Sequence, residues 1–115
     1  MRILLVDDTV SLRKAVKRTL EAAGYEIVGE AGDGREAIAQ FMHLRPDVTI
    51  MDYQMPRVSG LEALRIIRRD FPQAAVIICS SDDIEEEALA GGAKAFILKP
   101  FGRNELLYAL STINE

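Results

Sequence analysis

Five short apolar runs alternate with five amphipathic stretches along this chain, and that alternation leaves few folds open. The runs cover residues 2–6, 25–31, 48–51, 75–79 and 95–98. Ile3-Leu4-Leu5-Val6 and Val76-Ile77-Ile78-Cys79 show no polar alternation, which predicts strands buried on both faces, as in a parallel sheet. The second run is more polar, with Glu26 and Glu30, and suits a sheet edge. Leu12, Val16 and Leu20 recur at helical spacing among Arg13, Lys14, Lys17 and Arg18, with Thr9 or Ser11 placed to cap the helix and Gly24 to close it. Ala37, Ile38, Phe41 and Met42 mark a second helix ended by Pro46, and Leu61, Leu64 and Ile67 a third that runs to Asp70 ahead of Pro72. Residues 82–90 predict a short fourth helix closed by Gly91-Gly92, and Leu106, Leu107, Leu110 and Ile113 a fifth. With 115 residues there is room for one domain, read as residues 1–115. Its expected form is an α/β three-layer sandwich around a five-stranded parallel sheet in the order 2-1-3-4-5.

In that order the topological switch lies between the first and third strands, and sites in open α/β sheets lie outside the carboxyl ends there. Polar residues end four of the runs: Asp7-Asp8, Asp52, Ser80 and Lys99. Each alone is ordinary turn chemistry. On a parallel sheet all four converge on one rim. Asp52 is the centre of the set, because its run stops abruptly on a carboxylate and Pro56 keeps the strand from continuing. Asp52 is expected at the strand end with its side chain reaching solvent, a nucleophile able to accept a phosphoryl group. Three carboxylates in a small space repel; a pair about 4 Å apart costs on the order of 4 kcal/mol at an effective dielectric of about 20. A divalent cation relieves this, and with oxygen donors alone Mg2+ fits. Lys99 adds a positive charge and Ser80 a hydroxyl donor for a phosphoryl oxygen.

Composition narrows the partners. A net charge of −4 with interspersed signs excludes the basic surface that direct nucleic-acid binding needs. The single cysteine, Cys79, lies inside an apolar run and reads as a small buried hydrophobe; with one histidine it makes no zinc site. No apolar stretch is long enough to span a membrane and no signal peptide is visible, so the cytoplasm is the expected compartment. His43 reads as solvated, Tyr25 and Tyr53 as packing or surface residues, and Met42, Met51 and Met55 as core or loop packing.

Leu5-Val6-Asp7-Asp8, Asp52 with Met55-Pro56 and Gly60, Ser80 after an apolar strand, and Gly92-Ala93 followed by Phe96-Ile97-Leu98-Lys99-Pro100-Phe101 form five separated elements in order. By these the chain resembles, over its whole length, the receiver domain of two-component response regulators, which has a flavodoxin-like (βα)5 fold. The resemblance implies that Asp52 is the phosphoacceptor. It implies that Asp8, Asp52 and the backbone carbonyl of Gln54 bind Mg2+, with Asp7 acting through water. Ser80 and Lys99 would hold the phosphoryl group, Phe96 would be the aromatic switch residue that rotates inward as Ser80 moves, and Lys99-Pro100 would be a cis peptide. Gln54 and Asp82 would tune the lifetime of the phosphate. The implied donor is a phosphohistidine on a sensor histidine kinase or phosphotransfer protein. The implied listener is a downstream effector or a fused output domain, meeting the face of helix four, strand five and helix five. Such a chain is not an enzyme apart from catalysing its own phosphorylation and dephosphorylation. Ser80 and Lys99 stand 99 − 80 = 19 residues apart, a few fewer than receivers usually show, and the shortening falls in the loop after strand four or in helix four.

Other functions fit the residues less well. A phosphatase of the haloacid-dehalogenase type needs a second Asp two residues after the nucleophile, where this chain has Gln54. A flavin module needs a Ser/Thr/Gly-rich phosphate loop after strand one, where this chain has Asp7-Asp8-Thr9-Val10. A degenerate receiver used only for docking would not need Asp8, Asp52, Ser80 and Lys99 together.

Overall fold

The computed structural model describes residues 1–113; the last two residues of the domain expected over 1–115 lie outside the described part. Strands and helices alternate as β1 (Arg2–Val6), α1 (Val10–Ala22), β2 (Glu26–Ala31), α2 (Gly34–Leu44), β3 (Val48–Asp52), α3 (Gly60–Asp70), β4 (Val76–Ser80), α4 (Glu85–Ala90), β5 (Ala95–Leu98) and α5 (Arg103–Ile113). All strand pairs are parallel, in the order β2-β1-β3-β4-β5. The polar second run is an edge strand, as its charges require.

Strand alternation divides the core into two layers. Leu4, Val6, Met51, Val76 and Ile78 pack with Phe41, Leu64 and Ile67 on the side of α2, α3 and α4. Ile3, Leu5, Ile50, Ile77, Cys79 and Ile97 pack with Leu20, Leu106 and Leu110 on the side of α1 and α5. Burying one such Leu or Ile side chain contributes about 2 kcal/mol, so the two layers supply the main driving force. Helix starts are fixed locally. The Asp33 carboxylate accepts the Glu36 N–H at 2.8 Å and the Ser59 hydroxyl accepts the Glu62 N–H at 3.2 Å, each an N-cap bond to the third helical residue. Gly24 follows α1 at φ +94°, the left-handed position that suits glycine.

Four expectations shift. β2 begins at Glu26 rather than Tyr25, and β4 runs one residue later than expected, from Val76 to include Ser80. Thr9 is the N-cap residue of α1, but its side chain makes no cap bond; its N–H donates to Asp7 Oδ1 at 2.8 Å instead. The largest change is α4, which begins at Glu85 and not at Asp82. The Asp82 N–H donates to the Ser80 hydroxyl at 2.9 Å and the Ile84 N–H to the Asp82 carbonyl at 2.9 Å, so residues 82–84 close a turn before any helix starts. The shortened connection between Ser80 and Lys99 therefore leaves a helix of 6 residues.

Candidate functional site

The alternation that places Leu5, Ile50 and Ile97 in the α1/α5 layer continues to Asp52, the last residue of β3, and to Asp7 and Lys99, each one residue past its strand. These side chains meet at the carboxyl edge of the sheet, at the switch between β1 and β3. Carboxylate oxygens of Asp7, Asp8 and Asp52 lie within 4.8 Å of one another. Lys99 Nζ stands 3.1 Å from Asp7 Oδ2 and 3.1 Å from Asp52 Oδ1. Asp7 has both oxygens engaged, one by Lys99 and one by the Thr9 N–H, whereas the exposed Asp8 side chain makes no hydrogen bond or ion pair within the described residues.

Asp52 departs from expectation in one respect. It does not reach into solvent but is only 7% exposed, because the loop after β3 folds back over it. The Gly60 N–H donates to the Tyr53 carbonyl at 2.8 Å, and a Cβ at Gly60 would collide with the Asp52 carbonyl oxygen, so glycine lets α3 begin directly against the strand end. Burial pushes the Asp52 carboxyl above its ordinary range; the Lys99 hydrogen bond and charge pull it back, and the charges of Asp7 and Asp8 push it up again. Burial alone would lower Lys99, but its hydrogen bonds to Asp52 and Asp7 outweigh that and raise its pKa. The shared ion pair favours the charged form of both groups. It wins at Lys99 and is outweighed at Asp52 by burial and two like-charged neighbours.

Other expected site residues lie near this cluster but outside it. Ser80 is buried, and its alternation with Ile78 places it toward the α3/α4 layer, where its hydroxyl accepts the Asp82 N–H. Gln54 and Asp82 meet across the rim, with Gln54 Nε2 donating to Asp82 Oδ2 at 2.8 Å. Phe96 pairs with Ile78 across β4 and β5 and is half-buried, lining a groove with Leu89, Leu98, Pro100 and Tyr108 between α4, β5 and α5. Lys99-Pro100 is cis. The Cys79 thiol, buried in the α1/α5 layer, is pushed up to about 12 by burial, consistent with an inert core residue.

A model of the response regulator receiver domain matches residues 3–111. The chain belongs to the response regulator receiver family. It is 38% identical to the chemotaxis protein CheY of Thermotoga maritima over 99% of this chain and 98% of that protein. It is 43% identical to the protein CcdB of Bacillus subtilis over 97% and 96%. Among solved structures it resembles a chain of the CheX–CheY–BeF3–Mg complex from Borrelia burgdorferi, with a TM-score of 0.96, 28% identity, and coverage of 100% of this chain and 90% of that one. As a receiver it is a signalling module, and its acidic rim is the kind of pocket in which such domains take a phosphoryl group. Among the described residues no helix is long and apolar enough to cross a membrane.

One residue of this region was not singled out from the sequence. Arg13 reads there as part of the polar face of α1. In the structure it is largely buried, with Nη1 donating to the Asp7 carbonyl and Nε to Glu30 Oε1 at 3.0 Å. The available signal was spacing: Arg13 lies three residues before Val16 and seven before Leu20, on the inward stripe.

Proposed function

We propose that Asp52 is the phosphoacceptor of this receiver, served by Lys99 and Ser80, with Mg2+ held by Asp8, Asp52 and the backbone carbonyl of Gln54 and by Asp7 through water. The observation that carries the reading is the rim itself: three carboxylates brought together, two of them on one ammonium, with Asp52 the most buried of the three. The donor set fits the ion, since every side-chain donor is a carboxylate oxygen and Asp8 has no hydrogen-bond or ion-pair partner among the described residues. The related complex from Borrelia burgdorferi carries BeF3 and Mg. When bound, the ion offsets the negative charge that otherwise keeps a phosphoryl group away from a carboxylate.

The chain's own residues do the rest. A carboxylate oxygen of Asp52 forms the new O–P bond as the N–P bond of a partner's phosphohistidine breaks, and the imidazole nitrogen leaves with the electron pair. Lys99 already lies against Asp52 and needs little movement to contact a phosphoryl oxygen. Ser80 accepts the Asp82 N–H and so keeps its own hydroxyl proton to donate, and it does the same by moving toward the phosphoryl oxygen. Its departure opens space behind it for Phe96, which alters the groove between α4, β5 and α5. One added dianion thereby biases a protein-binding face. Gln54 and Asp82, joined across the rim, tune how water reaches the acyl phosphate. The partners are a sensor histidine kinase or phosphotransfer protein on the input side and an effector or fused output domain on the other, in the cytoplasm. The domain itself binds no nucleic acid directly. It catalyses its own phosphorylation and dephosphorylation and turns over no outside substrate.

The test is intact-mass measurement after incubation with acetyl phosphate and Mg2+. A single phosphoryl adduct is expected on the wild type, labile to hydroxylamine and absent from Asp52→Ala. An unmodified wild type would instead identify a receiver that serves only for docking.

A further inference from the structure

We infer that Arg13 is a positioning residue for the metal-binding carboxylate Asp8, acting through the peptide bond between Asp7 and Asp8. The inference rests on the Mg2+ reading above and adds a residue to it. The Asp8 carboxylate makes no hydrogen bond or ion pair within the described residues, so its place is set chiefly by the backbone that carries it. The carbonyl of that peptide belongs to Asp7 and is held by Arg13 Nη1. The same guanidinium nitrogen lies 3.5 Å from the Ala31 carbonyl, which also accepts the Asp7 N–H at 3.0 Å. Both sides of Asp7 are therefore tied to the end of β2, one directly and one through Arg13.

Arg13 is itself fixed. Its Nε donates to Glu30 Oε1, and Lys17 Nζ donates to Glu30 Oε2 at 3.1 Å. Burial would raise the Glu30 carboxyl, but the Lys17 and Arg13 hydrogen bonds outweigh it and hold the group below its usual range, so the anchor stays charged at neutral pH. A planar guanidinium satisfies a carboxylate with one edge and backbone carbonyls with another; an ammonium places its donors on a single atom and does not offer two separated edges held in one plane. Arg13 also lines the small cavity beneath the cluster together with Asp7, Asp52 and Lys99, so its loss would loosen the floor of the site as well as its edge.

Lys17 supplies the control, because it shares Glu30 but does not touch the Asp7 carbonyl. Mg2+ affinity is measured by calorimetric titration of the folded proteins, alongside their thermal midpoints. Arg13→Lys and Arg13→Gln are expected to weaken Mg2+ binding by about tenfold, the scale of losing an outer-sphere orienting group. Lys17→Met is expected to leave the affinity unchanged while lowering the midpoint. If Arg13→Gln does not fold, Arg13→Lys carries the test, since it keeps the charge and the aliphatic stem. Wild-type affinity in Arg13→Lys would overturn the inference. So would an equal loss in Lys17→Met, which would indicate a general charge effect. Either result, with the phosphoryl adduct still forming on the wild type, leaves the receiver reading standing. A wild type that binds no Mg2+ removes the reading and the inference together.

Discussion

Two charged clusters sit one strand apart at the carboxyl edge of this sheet, and they are built on opposite principles. At β2 and α1, one carboxylate, Glu30, is met by two cations, Arg13 and Lys17. At β1 and β3, one cation, Lys99, is met by Asp7 and Asp52, with Asp8 beside them. The first cluster is complete as it stands. The second has excess negative charge in a partly buried place, where each unrelieved like-charged pair is costly. On the Mg2+ reading proposed above, a bound cation supplies the missing charge. On the proposed reading the difference separates a structural ion cluster from a reactive one, and the number of cations per carboxylate marks it.

The sharpest way to test that contrast is chemical. Asp52→Asn is expected to lose the phosphoryl adduct entirely in the acetyl phosphate assay, whereas Glu30→Gln keeps it. An adduct persisting in Asp52→Asn would place the acceptor elsewhere. Added Mg2+ should raise the thermal midpoint of the wild type, by about 2.7 kcal/mol of stability when the ion is at about 100 times its dissociation constant, and a chelator should reverse it. Asp52→Asn should lose most of that response and Glu30→Gln little of it.

The two carboxylates should also respond to substitution with opposite sign. Removing the Asp52 charge at neutral pH is expected to stabilise the fold by on the order of 1 kcal/mol, since the group sits in a site that resists ionisation. Its pKa is raised in the folded state, so its charge weighs against folding above that pKa. The advantage of Asp52→Asn should therefore fade as pH falls through the folded value and the wild-type carboxyl takes up its proton. Glu30→Gln should destabilise at neutral pH by about 0.5 kcal/mol, as expected for a half-exposed ion cluster. Because the Glu30 pKa is lowered on folding, the wild-type contribution is present above the unfolded value and is lost as pH falls through the folded one. Denaturant melts of both variants across acidic and neutral pH read both signs. Equal signs would erase the distinction between the clusters.

Much of this was legible in the sequence because the strands are short, apolar and terminated by polar residues. Val6, Met51 and Leu98 each precede a charged residue, so the rim of Asp7, Asp8, Asp52 and Lys99 follows once the sheet is parallel. Three things were not legible. The start of α4 depended on the turn over residues 82–84, closed by the Ile84 N–H on the Asp82 carbonyl, which periodicity does not register. The burial of Asp52 depended on how closely α3 returns over the strand end, which is a matter of backbone approach at Gly60. Arg13 was obscured by its charge: a basic residue among Lys14, Lys17 and Arg18 reads as solvated until β2 brings Glu30 alongside it.

The connection from β3 to α3 is clamped at both ends by glycine. A side chain at Gly60 would strike the Asp52 carbonyl, and one at Gly34, the first residue of α2, would strike the Val58 carbonyl. Between those clamps Gln54, Pro56 and Arg57 face outward. For anyone rewriting this receiver, the loop is therefore an insert of fixed length. Even its outward positions are constrained, since Gln54 is tied to Asp82 and Arg57 holds a left-handed φ of +71°, and an insertion or deletion would pull the two glycines out of register and dislodge the helix seated against Asp52.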